Sequence, residues 1–157
     1  MKILLAVDGS NHSDAGVEEV AQMTWPADSE VRVINVIELP VVSLAEFPAW
    51  PDYLDEIDRV FTERAKTSVE AALAILRAGK CEKLRLTSEL FHGSAKQVIV
   101  DEAKAWGADL IVLGSRGLGA VDRFFLGSVS QAVVQHAPCS VEVVRRSQSE
   151  ESGRQSQ

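Results

Sequence analysis

The sequence has few of the features that mark secreted, membrane or metal-binding chains. Its two cysteines, Cys81 and Cys139, form neither a CxxC pair nor a disulfide framework. No apolar run approaches the roughly 18 residues that a membrane span requires. The opening segment, MKILLAVDGS, has neither the long apolar stretch nor the cleavage site of a secretory signal. We therefore expect a cytosolic protein with reduced thiols and no membrane partner.

Positive charge and histidine are also scarce. The chain has 16 basic and 23 acidic residues, which gives a net charge of −7 with its three histidines neutral. Because nucleic-acid-binding domains are usually basic, no nucleic-acid partner is expected. The histidines show no metal-ligand spacing, and a zinc site needs three or four ligands. A metal held by side chains alone is therefore not expected.

What the sequence does contain is the composition of a folded domain. Apolar residues make up 46% and charged residues 25% of its 157 residues, which is close to the globular average and fits one domain. Short apolar runs, typical of buried strands, alternate with amphipathic segments, typical of helices. The predicted strands span residues 3–7, 31–37, 83–91, 109–113 and 140–144. The predicted helices span residues 13–24, 52–77, 94–106 (with Ser94 as N-cap) and 128–136.

This strict alternation predicts the fold class. It favours an α/β domain with a doubly wound, five-stranded parallel sheet and helices on both faces. Residues 38–51 hold three prolines and no clear period, so we expect a long loop there. The last residues, 147–157, contain no apolar side chain and are expected to be a disordered tail.

The segment between Gly114 and Gly127 is the most informative for function. Ligands of open parallel sheets bind beyond the carboxyl ends of the strands, where this segment lies. Its glycines let backbone N–H groups approach a ligand, and it leads into a helix N-terminus at Ser128, which attracts phosphate. Arg116 adds a cation. These features predict a phosphate cradle, although the glycines could also serve only to turn the chain.

Two familiar phosphate motifs do not fit. A Walker A loop requires Lys and Ser or Thr after its second glycine, but Ala120 and Val121 stand there. A dinucleotide-binding fingerprint needs three glycines after the first strand, where only Gly9 is present. A P-loop enzyme and a classical dinucleotide-binding domain are therefore both disfavoured.

The glycine spacing resembles a known signature. Gly114-x2-Gly117-x9-Gly127-Ser128 matches the pattern G-x2-G-x9-G-[ST] of the universal stress protein family, and the segments ILLAVDGS, IVLGSRG and GSVSQAVVQHAPCSVEVV also resemble that family. The resemblance covers residues 1–146. It implies a Rossmann-like, adenine nucleotide alpha hydrolase-like domain over residues 1–146, of the branch that binds ATP.

The resemblance also implies roles for matching residues. Ala6, Val7 and Asp8 would line the ribose and adenine side, with Val36 meeting adenine through its backbone. Leu113 and Gly114 would lie under the ribose. Phosphates would be held at Gly117, Gly127, Ser128 and Val129, and Mg²⁺ or Mn²⁺ would be bound by the phosphates. A Cβ at Gly117 or Gly127 should then intrude on the phosphates or strain a left-handed backbone.

Simpler interpretations stay open for four of these residues. Val36 could be simply a strand residue, since only its backbone would be used. Asp8 is also a common turn residue, and Ser128 could be only a helix N-cap. Arg116 either contacts phosphate or is a solvated loop cation.

We therefore expect an ATP-binding, homodimeric stress-response switch or sensor with an unidentified protein partner. The resemblance implies a dimer through strand 5, residues 140–145, from Ser140 to Arg145, and an exposed apolar edge invites such pairing. Two alternatives are a slow ATPase or phosphotransferase and a nucleotide-free dimeric scaffold. The lack of a P-loop lysine disfavours an efficient enzyme, and the glycine spacing disfavours the scaffold.

Overall fold

Strands and helices alternate along the chain in the predicted order. The computed structural model describes residues 1–39, 51–79, 84–117 and 126–145. The elements are β1 (Lys2–Ala6), α1 (Asn11–Gln22), β2 (Glu30–Ile37), α2 (Pro51–Ala78), β3 (Arg85–His92), α3 (Ala95–Trp106), β4 (Leu110–Gly114), α4 (Ser128–His136) and β5 (Ser140–Val144).

The strands form one parallel sheet in the order β3-β2-β1-β4-β5. The chain first adds strands to one side of β1 and then crosses to the other side with β4. In the register of the central strands, Leu4 of β1 lies opposite Arg32 and Ile111. The predicted doubly wound α/β fold is confirmed, and β5 lies at a sheet edge as expected.

Two apolar layers enclose the sheet. On one face, α1 and α2 pack through residues such as Val17, Val20 and Leu76 against Ile3 and Leu5 of β1. On the other face, Ile99 of α3 and Val133 of α4 pack against Leu4 and Ile111. Both faces of β1 are thus buried, which is why its sequence is a continuous apolar run.

Predicted boundaries differ from the observed ones by at most two residues. The third strand begins at Arg85, whereas the prediction began it at Lys83, which lies outside the described residues. Most of the proline-rich loop, the whole of the predicted tail and Cys81 also lie outside the described residues.

Cys139 is a free thiol, and burial, followed by the charge of Asp109, raises its pKa. None of the helices in the described ranges is long and apolar enough to cross a membrane.

Gly114, the last residue of β4, marks a close approach between backbones. A Cβ built on Gly114 would lie 2.5 Å from the carbonyl carbon of His12 and 2.7 Å from the nitrogen of Ser13. Real Cβ atoms do not come this close to backbone, so only glycine allows the end of β4 to pass the start of α1. Gly16, inside α1, is less constrained, since its Cβ would have neighbours no nearer than 3.8 Å.

These two glycines predict opposite effects on stability. Gly114→Ala should lower the free energy of unfolding by ~1–3 kcal/mol because the added carbon overpacks a backbone contact. Gly16→Ala should raise it by ~0.5–1 kcal/mol because alanine favours the helix. Urea unfolding of both variants measures this. An unchanged midpoint for Gly114→Ala would contradict the close approach.

Candidate functional site

The carboxyl ends of β1, β2 and β4 open onto a cavity of about 550 Å³. It lies where the strand order reverses, which is the usual ligand position in such sheets. The cavity brings together every candidate residue from the sequence, although these residues come from four separate segments. They are Ala6, Val7, Asp8, Val36, Leu113, Gly114, Arg116, Gly117, Gly127, Ser128 and Val129.

Hydrogen bonds hold the two ends of the glycine-rich segment together. The Gly127 N–H donates to the Ser115 carbonyl at 2.8 Å. The Ser130 hydroxyl donates to the Gly114 carbonyl, also at 2.8 Å, and is buried. The middle of this segment, residues 118–125, lies outside the described residues. Its flanks are therefore fixed against β4 and α4 beside the cavity.

The start of α4 leaves backbone donors available at the cavity. Its N-cap is Gly127, which makes no side-chain capping bond, and no acidic residue occupies the first turn. The first backbone bond of this turn runs from the Gln131 N–H to the Gly127 carbonyl at 2.9 Å. The N–H groups of Ser128, Val129 and Ser130 precede it, and all three residues line the cavity. The interpretation of Ser128 as an N-cap is wrong, because Ser128 is the first helical residue.

Gly117 faces the Asp8 carboxylate. A Cβ on Gly117 would lie 2.6 Å from Asp8 Oδ2, while Asp8 Oδ1 accepts the Ser10 N–H at 3.0 Å. Asp8 therefore has a turn role and also lies against the glycine segment. A Cβ on Gly127 would lie 3.2 Å from the Cα of Arg116.

Left-handed backbone is not the reason for these two glycines. Gly127 has φ −61, and Gly117 is not among the described glycines with positive φ. The expectation of left-handed strain is therefore wrong at both positions. A side chain at Gly117 would instead displace the end of the Asp8 side chain, and one at Gly127 would press on the backbone of Arg116. Positive φ occurs instead at Gly9, Gly93 and Gly107.

Arg116 lines the cavity and carries an unsatisfied donor. Its Nε is buried, and no described residue accepts a hydrogen bond from it. A buried donor without an acceptor is costly, so such groups in native proteins are rare and call for an explanation. A ligand anion that reached this nitrogen would supply the missing acceptor.

Several residues of the cavity wall were not predicted from the sequence. Phe61, Arg64 and Ala65 of α2 line the cavity, as do Ala95 and Ile99 of α3. The remaining wall residues are Ser13, Ile34, Asn35, Ile37, Glu38 and Ser130. Phe61 and Ala65 lie within the predicted amphipathic helix 52–77, and nothing in the local sequence marks them as cavity residues.

The cavity has two chemically different ends. Toward β2, α2 and α3 it is walled by Phe61, Ile99 and the strand backbone around Val36, which suits a flat apolar group. Toward α4 it offers backbone N–H groups and the Arg116 guanidinium, which suit an anion. Within the described ranges, no group of three or more His, Cys, Asp or Glu side chains could hold a metal ion.

Comparison with known proteins identifies the family. A model of the universal stress protein family matches residues 1–145. The chain belongs to the universal stress protein family. A Staphylococcus epidermidis protein that carries this family's name is 36% identical over 146 residues, which cover 91% of this chain and 82% of that protein. The resemblance to this family is thereby confirmed.

Solved structures of this universal stress protein's relatives have the same fold. UspA from Lactobacillus plantarum is 26% identical, with a TM-score of 0.73, over 92% of this chain and 97% of its own. A family protein from Arabidopsis thaliana, solved with AMP bound, is 21% identical, with a TM-score of 0.67, over 96% of this chain and 94% of its own. The fold is the Rossmann-like, adenine nucleotide alpha hydrolase-like one that the resemblance implied.

The unsatisfied guanidinium leads to a prediction about the ligand-free protein. The substitution Arg116→Met leaves the backbone unchanged and removes the buried side-chain donor. It should therefore raise the free energy of unfolding of the ligand-free protein by ~1 kcal/mol. Urea unfolding of nucleotide-free protein measures this. A loss of stability of similar size would mean that Arg116 already has a stabilising partner.

Proposed function

We propose that the cavity binds ATP, one molecule per subunit, and that the protein acts as a nucleotide-dependent switch or sensor in a stress response. The observation that carries this proposal is the start of α4. Three backbone N–H groups, from Ser128 to Ser130, line the cavity there without a side-chain cap, beside the buried, unpartnered Nε of Arg116. A chain of phosphates matches this set of donors.

The opposite end of the cavity supports a nucleoside. Val36 lies at the end of β2, where its backbone can meet the edge of a base, between Phe61 of α2 and Ile99 of α3. Leu113 and Gly114 then lie under the ribose, with Ala6, Val7 and Asp8 beside it. The AMP found in the Arabidopsis relative supports an adenine nucleotide.

In this proposal a divalent cation is bound mainly by the phosphates of the nucleotide. Mg²⁺ keeps several waters and is usually held by phosphates and one or two carboxylates. Asp8 is the carboxylate nearest to Gly117 and is suited to such a water-mediated contact. When bound, Mg²⁺ or Mn²⁺ would neutralise phosphate charge.

The proposed binding is tested by matched glycine variants. Gly117→Val and Gly127→Val should each lower ATP affinity about tenfold or more, which corresponds to ~1.4 kcal/mol, because the new side chains crowd the phosphate end. Calorimetry measures the affinity, and mass spectrometry of nucleotide released from the purified wild type identifies the ligand. Unchanged affinity in both folded variants would contradict the site.

Binding without rapid cleavage is the expected behaviour. Phosphoryl transfer requires neutralised phosphate charge and a water held in line. The cavity wall, as far as the structure describes it, contains no lysine, and its carboxylates are Asp8 and Glu38. We therefore expect turnover orders of magnitude below the ~1–100 per second of kinases, so that bound nucleotide persists.

Single-turnover hydrolysis with labelled ATP and Mg²⁺ tests this expectation. Asp8→Asn and Asp122→Asn serve as comparisons, although Asp122 lies outside the described residues. The wild type and both variants should cleave ATP slowly. Rapid cleavage that is lost in Asp122→Asn while ATP still binds would make the protein an enzyme and contradict the proposed role as a switch.

We further propose a homodimer through β5 and residues 140–145. The strand is at the sheet edge, and an edge presents unpaired backbone groups to a second copy. The Val144 carbonyl accepts the Ser115 N–H at 2.8 Å and so faces the neighbouring strand β4. The N–H and C=O groups of successive residues in a strand point to opposite sides of that strand. Those of Val143 therefore face the open edge of the sheet.

Proline substitutions separate the two sides of β5. Val143→Pro should remove a donor from the open edge and convert dimer to monomer while the fold survives. Glu142→Pro should instead break the ladder with β4 and destabilise the monomer. Sedimentation velocity at micromolar concentration, with urea unfolding alongside, distinguishes these effects. A monomeric wild type would contradict the dimer.

A further inference from the structure

Two helices, α3 and α4, begin at the cavity. Ala95, the first residue of α3, and Ser128, the first residue of α4, both line it. Either helix start could attract an anion through free N–H groups and the helix dipole. On these grounds alone, a nucleotide could lie in the cavity in either of two directions.

The two helix starts differ in what occupies them. At α4, Gly127 supplies no side chain and the donors remain available. At α3, the side chain of Ser94 makes no capping bond, although Ser94 is the N-cap. Glu38, the residue after β2, caps this helix at its first donor instead: its Oε1 accepts the Ala95 N–H at 2.5 Å.

Two further donors at the start of α3 are also engaged. The N–H groups of Gln97 and Val98 both donate to the Ser94 carbonyl, at 3.0 and 2.9 Å. A carboxylate of the chain itself therefore stands where an external anion would bind. Glu38 also lines the cavity, so a phosphate near Ala95 would meet both an occupied donor and a like charge.

We propose that Glu38 is a positioning residue: by capping α3 it excludes phosphate from that end of the cavity and directs the anionic end of the ligand to α4. This inference rests on the proposed function of the cavity as a nucleotide site. The uncharged base then occupies the end of the cavity near β2, between α2 and α3.

Amide chemical shifts of the nitrogen-15-labelled full chain test this proposal, with inorganic pyrophosphate as the probe. In the wild type, pyrophosphate should shift the amides of Ser128 and Val129 and leave Ala95 unmoved. In Glu38→Ala, the amide of Ala95 should also shift. In Glu38→Gln, which can still accept the Ala95 N–H but carries no charge, the shift at Ala95 should be smaller than in Glu38→Ala.

Glu89→Gln is the matched control. Glu89 lies on β3, 3.7 Å from Arg32 in a partly exposed ion pair, and does not line the cavity. This variant removes one negative charge without touching the start of α3, so Ala95 should stay unmoved as in the wild type. A shift at Ala95 in Glu89→Gln equal to that in Glu38→Ala would assign the effect to net charge and overturn the proposal.

The remaining outcomes separate this proposal from the proposed function. If Ser128 and Val129 respond but Ala95 behaves alike with and without the Glu38 side chain, the role of Glu38 is wrong and the phosphate site stands. If Ser128 and Val129 do not respond in the wild type, the phosphate site is wrong and the role of Glu38 falls with it.

Discussion

The close passage of β4 over the start of α1 is the constraint on which the rest of the structure depends. Gly114 permits this passage, and the order of strands reverses there, between β1 and β4. The chain leaving β1 turns to one face of the sheet through α1, and the chain leaving β4 leads to α4 on the other face. Their divergence opens the cavity at the carboxyl ends of the strands.

The two ends of the cavity differ more in their backbone hydrogen-bond donors than in their charged side chains. At one end, α4 starts on a glycine that cannot cap it, so its N–H groups remain available. At the other end, the carboxylate of Glu38 fills the start of α3. Fixed backbone dipoles, together with Arg116, thus distinguish the proposed anion-binding end from the end that carries the Glu38 carboxylate. In the proposed arrangement, phosphate would be held without a P-loop lysine.

The fold could be predicted from the sequence because its signals are local. Continuous apolar runs such as that in β1 arise from burial on both faces, and the glycines at 114, 117 and 127 meet crowding that any side chain would worsen. Residues such as Arg64 could not be predicted as cavity residues, because which face of α2 meets the sheet is decided by packing between distant segments. Ser94 had the right residue type for a capping bond, but the helix is capped by the carboxylate of Glu38, which lies 57 positions from Ala95 in the chain.

The most direct test of the account is a crystal structure of the protein with a non-hydrolysable ATP analogue and Mg²⁺. The account predicts phosphate oxygens about 2.7–3.2 Å from the N–H groups of Ser128 and Val129, with the guanidinium of Arg116 in contact and the base beside Val36. Phosphates bound at Ala95, or an analogue bound outside the cavity, would contradict it.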